Sequence, residues 1–130
     1  MWRLIPGLLL AACTQAQPHD PALVAAVEQV ESGGNPRAVG DSGKAVGILQ
    51  IQPIMVRDVN RILGSQRYSL ADRLDPVKSR EMFWVYADHY SPGASREVIA
   101  RRWNLGPKGD RSPATVGYWR KVSAALEEKP

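Results

Sequence analysis

An α+β domain, mostly helical, is predicted, with one small Gly-rich β excursion between its first two helices. Three observations predict it. Cap-then-proline pairs occur at Asp20-Pro21, Asp75-Pro76 and Ser112-Pro113, and proline suits the first helical position because its missing N–H would find no partner there anyway. Apolar residues behind those pairs return every three or four positions, which is the helical period. Between Gly33 and Gly47 the glycines crowd and that period is lost.

The first helix follows Asp20. At about 100° per residue, Leu23, Val24, Val27 and Val30 share an arc of roughly 120°. Glu31 projects inside that arc, Glu28 falls just beyond its edge, and Gln29 points away. Gly33 and Gly34 supply the left-handed geometry that ends helices. From residue 37 to 52, Gly40, Asp41-Ser42-Gly43 and Gly47 alternate with Val39, Val46, Ile48 and Ile51, an irregular hairpin or small sheet. Pro53 opens a second helix through Ile54, Val56, Val59, Ile62 and Leu63, closed by Gly64. A third runs from Asp75-Pro76 to about Tyr90. Ser95 caps a fourth that ends near Trp103. Ser112-Pro113 starts the last, with Val116, Trp119, Val122 and Leu126 as its stripe.

A chain of 130 residues supports one domain with a modest core and is too short for two. The net charge of +4 resides in the last third: from Arg96 onward eight Lys or Arg face four Asp or Glu. That favours an anionic partner. Nucleic acid is not expected, because no aromatic-basic ladder or binding motif accompanies the charge. Residues 1–19 are expected to be a lipoprotein-type signal peptide, to Ala12, and a short spacer. Met1-Trp2-Arg3 is a minimal basic start, Leu4 to Ala12 is apolar, and Leu10-Ala11-Ala12-Cys13 resembles the lipobox in which the cysteine is lipidated. One domain is then expected to span 20–130, exported to the periplasm or cell envelope and held to the membrane through Cys13. A single copy is expected to suffice.

Elimination narrows the chemistry. His19, His89 and Cys13 lack ligand spacing, so neither a metal nor another cofactor is expected. Gly43-Lys44 fails as a phosphate loop, because Ala38 and Ala45 stand where a glycine and a Ser or Thr belong. Asp88-His89 are adjacent on a helix and point apart, and no nucleophile elbow is visible. Carboxylate chemistry remains. Burial of Glu31, together with the negative end of its helix, is expected to raise its pKa and suit it to donate a proton near neutrality. The ordinary alternative for a Glu in a last turn is a solvated flank.

Three segments then matter together. Glu31-Ser32-Gly33-Gly34-Asn35-Pro36, Gly43-Lys44-Ala45-Val46-Gly47-Ile48-Leu49-Gln50-Ile51-Gln52-Pro53 and Arg102-Trp103-Asn104-Leu105-Gly106-Pro107 come in this order. The chain thereby resembles the soluble lytic transglycosylase family, which shares the lysozyme-like fold of goose-type lysozyme and cleaves the glycan strands of bacterial peptidoglycan. The resemblance spans nearly all of residues 20 to 122. It implies that Glu31 is the general acid, protonating the leaving oxygen as an oxocarbenium-like state forms between N-acetylmuramic acid and N-acetylglucosamine. Ser32 would position the sugar or the carboxyl, or merely cap the helix. Gly43 and Gly47 would let the backbone approach a polysaccharide. Gln50 would address N-acetyl or hydroxyl groups, or simply end a strand.

Trp103-Asn104 matches the family's Tyr-Asn pair with a departure. Trp can stack on a sugar face, or pack in the core, but brings no hydroxyl to the acid; Tyr86, Tyr90 and Tyr118 are the candidates to replace it. Gly40-Asp41-Ser42-Gly43 looks like the Gly-Asp-x-Gly turn of goose-type lysozymes. An Asp41 carboxylate roughly 6.5–9.5 Å from the acid would hold a water for inversion; otherwise Asp41 is a turn former and the sugar's own 6-hydroxyl attacks, leaving a 1,6-anhydro end.

Overall fold

The computed structural model describes residues 19–128. Cys13 and the leader lie outside the described residues. Five helices follow one another: α1 (Pro21–Ser32), α2 (Pro53–Leu63), α3 (Pro76–Tyr90), α4 (Arg96–Leu105) and α5 (Val116–Glu127). Between α1 and α2, β1 (Val39–Gly40) pairs antiparallel with β2 (Ala45–Val46), Val39 opposite Val46. The expected α+β class and its one β excursion are what the chain forms. No helix among the described residues is long and apolar enough to cross a membrane.

The helix boundaries have local causes. Asp20 accepts from the Leu23 amide at 3.2 Å, Pro21 takes the first position, and Gly33 ends α1 at φ 65°. Asp75 accepts from the amides of Val77 and Lys78, Ser95 from that of Val98, and Gly64 closes α2 at φ 72°. The last helix starts later than expected. Ser112 caps a single 3-10 turn, Pro113–Thr115, and α5 begins only at Val116. Thr115 is fully buried, its hydroxyl 2.7 Å from the Gly109 carbonyl and accepting from Arg101 Nε at 2.8 Å, which holds that turn tight.

One core joins all the layers. Leu23 and Val27 of α1, Val59 of α2, Met82 and Phe83 of α3 and Val122 of α5 are essentially inaccessible, as are Leu49 and Ile51 from the glycine-rich segment. Burying such a side chain stabilises by about 1.5–3 kcal/mol, so Leu49 and Ile51 pin the β excursion onto the helices. Val39 and Ile54, counted among the apolar positions in the sequence, are instead exposed at 65% and 62%.

One charged contact departs from the helical-wheel reading. Glu28 is buried, not at the edge of the apolar arc, because Arg80 of α3 meets it at 2.6 Å and neutralises it. His19 packs against α3: its ring stacks on Trp84 at 4.4 Å and bonds Asp88 at 2.9 Å.

Candidate active site

A groove of about 830 Å³ runs between the β excursion, α2 and the C-terminal end of α4. Glu31, Asp41, Gln50, Trp103 and Asn104 all line it; Ser32 does not. Residues separated by more than seventy positions thus converge because α1 packs against α5 while α4 packs against both α3 and α5.

Glu31 stands at the last turn of α1, and its Oε2 accepts from the Tyr118 hydroxyl of α5 at 2.8 Å. Burial raises its carboxyl from 4.5 to about 7, and the Tyr118 hydrogen bond, which favours the ionised form, pulls in the opposite direction. Tyr118 itself is pushed well above the ordinary tyrosine value by burial and by the neighbouring carboxylate, so it remains a donor. The contrast with Glu28 is instructive. One carboxylate on α1 has a guanidinium against it; the other, one turn later, has a neutral phenol, and only the latter faces the groove.

Of the three tyrosines, Tyr118 is the one that reaches the acid. Tyr86 lines the groove with its pKa raised to about 12 by burial, and Tyr90 donates to Asp58 Oδ2 at 2.6 Å. The sequence offered no signal to choose among them, since a helical stripe fixes faces but not partners 87 positions away.

Several residues have structural occupations that the sequence did not separate from binding. Ser32 Oγ donates to the Ile48 carbonyl at 2.7 Å and accepts from the Asn35 amide at 3.2 Å, tying the end of α1 to the loop after β2. Gln50, at a left-handed φ of 52°, gives its Nε2 hydrogens to the carbonyls of Ala38 and Gly47 at 3.1 and 3.0 Å. Its amide N–H groups are therefore committed to the loop. Gly47 has φ 90°, and a Cβ there would lie 1.9 Å from the Arg73 carbonyl oxygen. The Arg73 backbone thus makes a close approach that demands glycine at this position.

Trp103 belongs to core and groove at once: it packs on Phe83 at 4.8 Å and edge-on to Tyr86 at 5.5 Å, is buried, and shows its remaining face to the groove beside the exposed Asn104. Asp41 sits at φ 50° on the turn after β1, exposed, with Oδ2 accepting from Gln52 Nε2 at 2.7 Å.

Residues 9–91 match the model of the transglycosylase SLT domain. The chain belongs to this family. The chain is also 50% identical over 69 residues to an endo-type membrane-bound lytic murein transglycosylase A from each of two strains of Klebsiella pneumoniae. That stretch is 52% of this chain and 34% of each relative, so the chain matches about a third of the length of these curated relatives. A chain in the crystal structure of Aeromonas hydrophila PliI in complex with Meretrix lusoria lysozyme superposes with a TM-score of 0.69 at 22% identity, over 81% of this chain and 88% of that one. This likeness is one of fold, and agrees with the lysozyme-like arrangement that the motifs implied. Trp103, Asn104 and Tyr118 lie beyond the matched family segment.

Proposed function

We propose that this SLT domain is a peptidoglycan lytic transglycosylase, cleaving the β-1,4 bond between N-acetylmuramic acid and N-acetylglucosamine with Glu31 as general acid and then base. One observation carries the reading: Glu31 is the groove carboxyl that burial holds near pKa 7, with no cation against it among the described residues. The family and the murein transglycosylases it resembles support the substrate class. Glu31 protonates the glycosidic oxygen as the C1–O bond breaks. The 6-hydroxyl of the muramic acid forms the new bond to C1 and yields its proton to Glu31, which ends protonated as it began. Between those transfers the carboxylate is stabilised by the Tyr118 hydroxyl. General acid catalysis of this kind typically contributes ~10² to 10⁴ in rate. Trp103 and Asn104 form the wall against which a sugar stacks and bonds, while Ser32 and Gln50 hold the loop that shapes the groove.

A second reading is an inverting muramidase. It is favoured by Asp41, an exposed carboxylate on the same groove with Oδ2 fixed by Gln52, which would position a water in place of the 6-hydroxyl. Purified cell walls distinguish the two. Mass spectrometry of the released muropeptides shows 1,6-anhydro ends for the transglycosylase and reducing ends, lost in Asp41→Asn, for the muramidase. Glu31→Gln is expected to abolish clearing of the walls while circular dichroism stays unchanged. Clearing at near-normal rate by that variant removes both readings, and wall binding without fragment release by the unaltered chain points to a non-catalytic envelope protein.

The exported, membrane-held location follows from the same reading: the curated relatives are membrane-bound by name, and Cys13 would carry the lipid here. Labelled palmitate should enter the chain and be absent from Cys13→Ser.

A further inference from the structure

We propose that Arg57 and Arg61, on the α2 wall of the groove, recognise stem-peptide carboxylates of the wall, so that the chain selects peptide-bearing strands over bare glycan. This rests on the groove being a peptidoglycan site. The positive excess of the sequence lies in its last third, yet none of those cations lines the groove. Arg96 is bound by Asp20 at 2.6 Å, Arg101 by Glu97 at 2.6 Å and Arg102 by Asp110 at 3.0 Å. The cations of the groove are Arg57 and Arg61.

They stand one turn apart on α2, neighbours on the same helix face, where like charges repel. A single carboxylate answers them. Arg61 donates to Asp58 Oδ1 through Nε at 2.9 Å and Nη2 at 2.7 Å, and through Nη2 to the Tyr90 hydroxyl at 3.0 Å. Tyr90 donates to the other oxygen, Asp58 Oδ2, at 2.6 Å. Both Asp58 oxygens are therefore occupied, and Arg57 has no carboxylate partner among the described residues. Of the other two groove acids, Asp41 is bound by Gln52 on the β side and Glu31 by Tyr118. What this leaves is the Arg57 guanidinium fork open, which suits a planar carboxylate, beside an Arg61 whose Nε–Nη2 edge is turned to Asp58 and whose charge adds to the attraction. In a peptide-bearing strand the lactyl carboxyl of muramic acid is consumed in the amide to the first peptide residue. The free carboxylates are then those of the peptide.

The test is titration calorimetry of the Glu31→Gln protein with three tetrasaccharides of alternating N-acetylglucosamine and N-acetylmuramic acid. The first carries stem peptides, the second carries the same peptides with their carboxylates converted to methylamides, and the third is peptide-free with lactyl carboxylates exposed. Binding should be strongest to the first and roughly threefold weaker to the second, the size expected of exposed ion pairs, with the difference shrinking as salt is added. Arg57→Gln in the same background should bring the ratio of the first two toward one, and Arg57→Lys should keep part of it. Equal affinity for the first two ligands, no binding to any of them, or a ratio untouched by Arg57→Gln overturns the proposal. Binding of the third as tight as the first also overturns it, since the arginines would then read the sugar's own carboxylate. Wall clearing by the unaltered chain is scored separately: its absence removes the glycosidase reading and leaves the binding comparison intact.

Discussion

The hydroxyl of Tyr118 donates to Oε2 of Glu31 at 2.8 Å, joining the last helix to the end of the first. Two opposed effects thereby meet on one carboxyl, burial raising its pKa and the phenol lowering it. The net value of about 7 lets the same group be an acid and, a step later, a base.

Removing the phenol should expose that balance. In Tyr118→Phe the carboxylate loses its donor while burial persists, so the Glu31 pKa climbs further. The alkaline limb of the pH–rate profile on cell-wall substrate is expected to move to higher pH. A limb that stays in place, or moves down, contradicts the assigned role.

Stability should carry the opposite signature of the same group. The folded chain holds the Glu31 proton up to about pH 7, whereas the unfolded chain releases it near 4.5. Folding therefore binds a proton between those values, and stability declines as pH rises through that window. At ~1.4 kcal/mol per pKa unit the loss above pH 7 is on the order of 3 kcal/mol. Glu31→Gln has no such loss, so it should unfold at a higher temperature than the parent at pH 8 and lose that advantage at pH 4. Differential scanning calorimetry at the two pH values decides it.

Two glycines of the β excursion should respond unequally to alanine. Gly43 has φ 92° but open space around it, whereas Gly47 at φ 90° has the Arg73 carbonyl where a Cβ would go. Gly43→Ala is expected to cost about 1 kcal/mol from the backbone conformation alone. Gly47→Ala should cost more than twice that, because Arg73 must also move. Urea denaturation of the two variants gives the comparison.

Ser32→Ala should loosen the groove without touching its lining. The serine bridges α1 to the Ile48 carbonyl, and its loss leaves that part-buried acceptor unpaired at about 1–2 kcal/mol. Amide exchange is expected to quicken in residues 47–52 and to stay slow in α3.

Helices and their ends were legible because their causes are local. Asp20, Asp75 and Ser95 bond amides two or three residues ahead, and periodicity alone placed Leu23, Val27 and Val59 inside. The last helix shows where local signals run out: Ser112-Pro113 does cap a turn, but Thr115, gripped by Arg101 and Gly109, makes it 3-10. The position of Glu31 was legible too, since it lies on the apolar arc at a helix end.

The sequence by itself determined the order of the five helices and where the first four begin, which segment breaks helical order, and which acid stands at that break. Tertiary structure alone decided that Glu28 receives Arg80 while Glu31 receives Tyr118, that Gly47 yields to Arg73, and that the groove takes its cations from α2 and not from the basic last third. The reason is reach. Caps and periods act over one or two turns of chain, whereas burial, and the partner that answers a buried charge, depend on which distant surfaces meet.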